Sequence, residues 1–157
     1  MIRKELNKCL YYSGRELEDI MKFQTTTDYA IRIVVYLALH SPKLFSASEA
    51  ARELGMTHAY FNKIAVSLRK AGFIVSVQGP GGGYKLAKSA SDITLYDIVC
   101  TIQGEIYINS CLEDDGFCTR FGTNSNLCPV HKVFGMLQEN IINILKSQTI
   151  ESICKMS

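Results

Sequence analysis

Three cysteines and one histidine, Cys111, Cys118, Cys128 and His131, fall within a stretch that otherwise reads as an irregular loop rich in acidic, Gly, Asn and Thr residues. Thiolates and an imidazole at this density are the donors that hold a thiophilic metal or an iron-sulfur cluster. The gaps between the cysteines are six and nine residues, wider than the Cys-x2-4-Cys knuckle on which zinc folds usually build. A tetrahedral Cys3His zinc site and a redox dithiol stay open as alternatives. A Cys-His pair can also serve as nucleophile and base. The spacing here matches no signature of a cysteine enzyme, however, and no orienting acid is evident, so no enzyme is expected. Cys9, Cys100 and Cys154 stand apart and are read as bystanders, and His40 and His58 as surface residues.

Pro129 suits the first position of a helix, where its missing N–H would be unpaired anyway. That assignment puts Cys128 at the N-cap and His131 one turn in, at the positive end of the helix dipole, which favours a thiolate ligand. Glu113, Asp114 and Asp115 set negative charge beside the loop and should make the site more labile.

The elements that position this loop must come from a chain of 157 residues, 47% hydrophobic, with a formal charge of +2. That is enough for one core. The small charge means that any affinity for nucleic acid must come from a local basic face. No basic and apolar leader is visible, and no apolar run approaches the roughly 20 residues of a membrane span, so a soluble, cytoplasmic protein is expected. In a reducing cytoplasm, clustered cysteines favour metal or redox chemistry over a disulfide framework. Residues 1–20 carry no recognisable chemistry and are treated as an extension, with the strongly patterned chain starting at Met21.

From Thr26 to His40, Ile31, Val34, Val35 and Ala38 recur at helical spacing; a strand competes, but the run is long for one. Ser46-Ala-Ser-Glu49 has capping-box spacing and opens a short helix that Gly55 stops. Thr57 caps the next, whose apolar stripe is Phe61, Ile64, Ala65 and Leu68. Two short helices about a glycine turn read as helix-turn-helix. The opposite face of the second carries Ala59, Asn62, Lys63, Val66 and Lys70, groups that can bond base edges and phosphates or line an ordinary solvated face.

Phe73–Gln78 has strand composition, and Gly79-Pro-Gly-Gly-Gly83 leads into a second short strand from Tyr84 to Ala87. The run fails both glycine-rich nucleotide-loop templates. It reads as a hairpin wing, whose glycines can adopt positive φ and bring backbone amides close to a phosphate. Thr94 starts another helix, with Leu95, Ile98, Val99 and Ile102 on its buried face and Gly104 at its end. From Pro129 onward, Val130, Phe134, Leu137, Ile141 and Ile144 alternate four and three residues apart, the spacing of a helix-helix seam, for which a second copy or the same chain is the partner.

Thr27-Asp-Tyr-Ala30, the helix pair over Ser46–Leu68, and above all Gly79-Pro-Gly-Gly-Gly-Tyr84 followed by three cysteines resemble the Rrf-two family of bacterial winged-helix transcription regulators. The likeness spans roughly residues 21–148 and points to the iron-sulfur branch, with its IscR-like and NsrR-like members. It implies a mainly α fold with a small β-hairpin wing, that is, a winged helix-turn-helix plus a long C-terminal dimerisation helix. It also implies a homodimer that binds double-stranded operator DNA, most simply as a repressor, under control of a [2Fe-2S] or [4Fe-4S] cluster sensing redox, nitric oxide or iron-sulfur status. The corresponding division is 1–20 extension, 21–104 DNA-binding domain, 105–128 cluster loop and 129–157 dimerisation helix and tail. Carried over, the DNA-binding positions are Thr57, Ala59, Asn62, Lys63, Arg69 and Gln78, with Gly79, Gly81, Gly82, Gly83 and Tyr84 in the wing. IscR-like members have acidic and amide side chains at the places of Asn62 and Lys63 and an arginine at that of Gln78, which leaves the operator sequence open. The cluster ligands are Cys111, Cys118 and Cys128. The fourth is either His131, as in IscR-like proteins, or Asp28 from the partner subunit, as in NsrR-like ones.

Overall fold

The computed structural model describes residues 23–113, 122 and 127–156. The expected extension, 1–20, and Cys118 lie outside them. The element order is α1 (Thr25–Leu39), α2 (Ala47–Glu53), α3 (His58–Lys70), β1 (Ile74–Val77), β2 (Gly83–Leu86), α4 (Leu95–Gln103), α5 (Pro129–Ser147) and α6 (Ile150–Cys154), with 3-10 turns at Ala90–Asp92 and Ser110–Leu112.

The helix boundaries follow from local hydrogen bonding. Ser46 and Glu49 form a reciprocal capping box at α2, Thr57 accepts the Tyr60 amide at α3, and Thr94 and Asp97 form a second box at α4. Each satisfies amides that the first turn of a helix leaves unpaired. Gly55 and Gly72 follow α2 and α3 with φ of 66° and 73°, the left-handed conformation that ends a helix at little steric cost.

The core gathers one face of α1 (Ala30, Ile33, Val34, Leu37), the stripe of α3 (Phe61, Ile64, Ala65, Leu68), Phe45, Ile74, Ile93 and Ile98. Burying each large side chain fully is worth roughly 1.5–3 kcal/mol. Thr27 is the buried polar residue of this core, and its hydroxyl donates to Gln103 Oε1 at 2.9 Å, so α1 is tied to the end of α4 without an unpaired group.

β1 and β2 pair antiparallel, from Ile74 opposite Leu86 to Val77 opposite Gly83. Phe45 adds a rudimentary third strand through two backbone bonds with Tyr84, 3.2 and 2.8 Å. At the tip, the Gly82 N–H donates to the Gly79 carbonyl at 2.9 Å, with Pro80 and Gly81 (φ 78°) between them. This is a type II turn, which wants Pro second and a positive φ third. Helix-turn-helix and hairpin together make a winged helix.

The tail departs from the expected division. After α5 the chain turns back: Leu95 N–H donates to Gln148 O (2.8 Å) and Ile150 N–H to Ile93 O (2.9 Å). α6 then packs on α1, with Ile150 fully buried in the shared core. The residues after Ser147 therefore belong structurally with the winged helix and not with the preceding long helix.

Candidate nucleic-acid interface and metal centre

α3 presents the face that its periodicity predicts. Its four apolar residues are buried while Ala59, Lys63 and Val66 are exposed and Asn62 is half-buried. Thr57 sits at the N-cap, outside the helix proper. Two contacts fix the helix on its support: Tyr60 exchanges a hydrogen bond with Thr26 across to α1 (3.0 Å), and its ring meets Tyr29 edge-on. Arg69 reaches from the end of α3 to Ser76 Oγ at 3.3 Å and so bridges the helix to the base of the hairpin. Gln78 is exposed at the tip beside Gly79 and Gly81.

Three of the wing residues have internal duties. A Cβ on Gly82 would collide with the Val77 carbonyl oxygen, and one on Gly83 with that of Phe45, so these positions need glycine for the close approach of backbone to backbone. The ring of Tyr84 packs edge-on against Phe61, 5.3 Å between centroids, and is half-buried. The outward-facing groups of this surface thus include Thr57, Ala59, Lys63, Val66, Arg69, Lys70, Gln78 and the Gly79–Gly81 turn. His58, read in the sequence as a surface residue with no part in this interface, is exposed in the first turn of α3 with the Asn62 amide nitrogen 3.3–3.4 Å from its ring nitrogens. Its signal was the i, i+4 spacing to Asn62.

α5 begins as expected, with Pro129 at its start and Cys128 at the N-cap; the Cys128 side chain makes no capping hydrogen bond, which leaves its sulfur free to act as a ligand. Cys128, His131, Gly135 and Gln138 follow one another at steps of three, four and three, so they share a face. The segment before the cysteine loop docks along it. The Ile108 amide donates to Gln138 Oε1 at 3.1 Å, and Leu112 packs over Gly135, where a Cβ would sit 4.0 Å from the leucine Cδ2. Cys111 lies in the 3-10 turn between these two contacts, with its amide bonded to Asn109 Oδ1.

His131 Nδ1 is shielded from solvent and has no hydrogen-bond partner among the described residues. A buried polar atom without a partner costs about 1–3 kcal/mol and is often the mark of an ion or water that belongs there. Cys128, one turn before His131, and Cys111, in the segment docked on α5, are half-buried free thiols, and thiolate with imidazole is donor chemistry that suits a soft metal or cluster. Among the described residues no three such side chains converge on one point, so Cys111, Cys128 and His131 are not brought together as a donor set, and Cys118 lies outside the described residues.

Asp28 is placed differently. It lies in the first turn of α1, and both its carboxylate oxygens accept from Arg32 Nε at 2.9 and 3.0 Å. The other described cysteines are occupied in the fold: Tyr96 is hydrogen-bonded to Cys100, which raises the phenol's pKa, and burial pushes the Cys154 thiol up. His40 is exposed, with Nδ1 2.8 Å from the Tyr36 carbonyl oxygen.

A helix pair whose second member is exposed on its polar face, followed directly by a glycine-tipped hairpin, defines the winged helix-turn-helix regulators. Residues 23–156 match the family model described as Rrf2, iron-dependent transcriptional regulator, and the chain belongs to that family. It is 33% identical over 134 residues to a protein of Aquifex aeolicus named as a helix-turn-helix-type transcriptional regulator, spanning 85% of this chain and 91% of the relative. It is 29% identical to the transcriptional regulator IscR of Vibrio atlanticus, over 86% of this chain and 76% of the relative. Among solved structures, IscR of T. potens superposes with a TM-score of 0.66 at 26% identity, covering 86% of this chain and 87% of that one. CymR of B. subtilis, the global cysteine regulator, shares the fold with a TM-score of 0.71 at 24% identity, over 88% and 99%. No helix among the described residues is long and apolar enough to cross a membrane.

Proposed function

We propose that this regulator is a cytoplasmic homodimer that represses by binding operator DNA with α3 and the hairpin. Cys111, Cys118, Cys128 and His131 hold an iron-sulfur cluster, [2Fe-2S] or [4Fe-4S], and the state of that cluster sets operator affinity. The observation that carries the reading is the shielded, unpartnered Nδ1 of His131, one turn from Cys128 on a helix against which the Cys111 segment is docked. The iron dependence in the family's description supports it. His131 is preferred to Asp28 as fourth ligand because the Asp28 carboxylate is already held by Arg32.

When bound, such a cluster supplies reversible electron transfer and reactivity towards oxidants and nitric oxide. The chain's own contribution is to link ligand geometry to the DNA-binding surface. Cys128 and His131 sit at one end of α5, which runs about 28 Å without a break. Its far end is clamped to the start of α4 through Leu95 and Gln148, and α4 packs on α1 and α3. Binding can switch the protein only if cluster affinity differs between DNA-competent and incompetent arrangements.

Dimerisation falls to the outer face of α5. Val130, Val133, Met136, Leu137 and Ile144 are each about half exposed or more, whereas only Leu145 of this helix is buried. The stripe is rotated slightly from the seam read in the sequence, since Phe134 and Ile141 are half-buried against the chain's own body.

The test is anaerobic purification, a visible absorption spectrum, and iron, sulfide and zinc analysis. A coloured protein with matched iron and sulfide, lost on His131→Ala and kept on Asp28→Ala, is the expected result. A colourless protein that takes up only zinc after reconstitution would establish a Cys3His zinc regulator instead.

A further inference from the structure

The Asn62 amide nitrogen is 3.3 Å from His58 Nε2 and 3.4 Å from Nδ1. Two ring nitrogens lie on either side of Cε1, and an in-plane donor equally close to both would collide with that carbon. The amide therefore rests over the face of the imidazole. This packing holds whichever end of the amide is taken as nitrogen.

We infer that His58 is a positioning residue for base recognition: its ring face holds the Asn62 carboxamide in the plane needed to read an A·T pair. The inference rests on the assignment of α3 as the DNA-reading helix. An asparagine carboxamide offers one acceptor and one donor side by side, complementary to adenine N6–H and N7 in the major groove. The torsion that sets its plane is otherwise soft. Restraining it before DNA arrives removes an ordering cost from the specific complex. His58 is itself fixed at the first helical position by the Thr57 cap. Asn62 is half-buried on the helix face that also carries the exposed Ala59, Lys63 and Val66.

The experiment selects preferred sites for the full-length, anaerobically purified protein from a randomised 30-base-pair duplex library. It then measures affinities for the selected duplex and its single-pair variants with wild type, Asn62→Ala, His58→Ala and His58→Phe. Asn62→Ala identifies the pair read by Asn62, expected to be A·T. His58→Ala should lose about tenfold or more of the discrimination at that pair alone, while affinity for non-specific duplex and its salt dependence stay within about twofold. His58→Phe, which keeps an aromatic face and removes the ring nitrogens, should restore the discrimination. Undiminished discrimination in His58→Ala, or a His58→Phe protein as impaired as His58→Ala, overturns the inference, as does a G·C preference at that pair. If Asn62→Ala changes preference at no position, Asn62 reads no base pair and this inference fails; the assignment of α3 fails only if the protein selects no preferred site at all.

Discussion

The backbone N–H of Ile108 donates to Gln138 Oε1 at 3.1 Å, which ties the segment leading to Cys111 to α5. It holds the chain three residues ahead of Cys111 against the same face of α5 that carries His131 and Cys128. Gln138→Ala would leave a partly buried amide unpaired, a loss of about 1 kcal/mol or somewhat more. Cluster-loaded protein carrying this substitution should release iron to a chelator several-fold faster than wild type, followed by the decay of visible absorbance. Equal release rates would show that docking of this segment does not support the site.

The outward stripe of α5 gives a prediction independent of any cluster. Val133 is 53% exposed and Leu137 49%, so a glutamate at either place meets water in the isolated chain and should change its stability by no more than about 0.5 kcal/mol. In a dimer that buries the stripe, the same charge would lose its hydration without a partner. Val133→Glu and Leu137→Glu should therefore run as folded monomers in light scattering and lose the avidity of two linked half-site contacts. Intact dimers in both variants would place the interface elsewhere.

Much of this architecture was legible because local chemistry and tertiary packing agree. Ser46 with Glu49, Thr57, and Thr94 with Asp97 announce three helix starts, and each side chain makes the capping bond its spacing implies. Phe61, Ile64, Ala65 and Leu68 are buried as their 3.6-residue period requires. What the chain hides is long-range. That Tyr84 packs on Phe61, and that Gly83 is needed for Phe45 to pair alongside, depends on residues some 20 to 40 positions away. The return of α6 is hidden for the same reason: Thr149 caps it visibly, but only the partnership with Ile93 and α1 makes five residues a helix worth forming. At the cysteine segment the candidate donor types were visible in the sequence, while the docking through Gln138 and Gly135 was not, since neither side chain is of a metal-binding type.

The α2 capping box predicts an acid-sensitive increment of stability. Glu49 Oε2 accepts from both the Ser46 backbone N–H (2.9 Å) and its hydroxyl (2.8 Å). These bonds, the backbone one first, favour the carboxylate and hold its pKa below the ordinary value. A group depressed in this way stabilises the fold fully above its unfolded pKa, roughly 4.3, and progressively loses that contribution as pH falls through its folded pKa. Glu49→Gln keeps the shape and an acceptor but not the charge. Its urea midpoint should lie below that of wild type at pH 7, and the two should approach each other at pH 3. A gap that does not change with pH would mean that the charge of Glu49 plays no part in the cap.

Ile150 tests whether the last helix is an appendage or part of the DNA-binding core. Its side chain is fully buried, and its amide donates to the Ile93 carbonyl at 2.9 Å just before α4 begins. Truncation there removes three carbons from a packed interior between α1 and the Ala90–Asp92 turn, which in comparable cores costs about 2–5 kcal/mol. Met156, 74% exposed six residues later, supplies the control. Met156→Ser should fall within about 0.5 kcal/mol of wild type in equilibrium urea unfolding followed by circular dichroism. Ile150→Ala should lose several times that and carry the winged helix with it in a single transition, because α1, α3 and α6 share one core. A mild Ile150→Ala, or a first transition confined to the tail, would instead make α6 a separable end. α5 would then be anchored at the end opposite its cysteine only by its own packing on α4 and the Leu95–Gln148 bond.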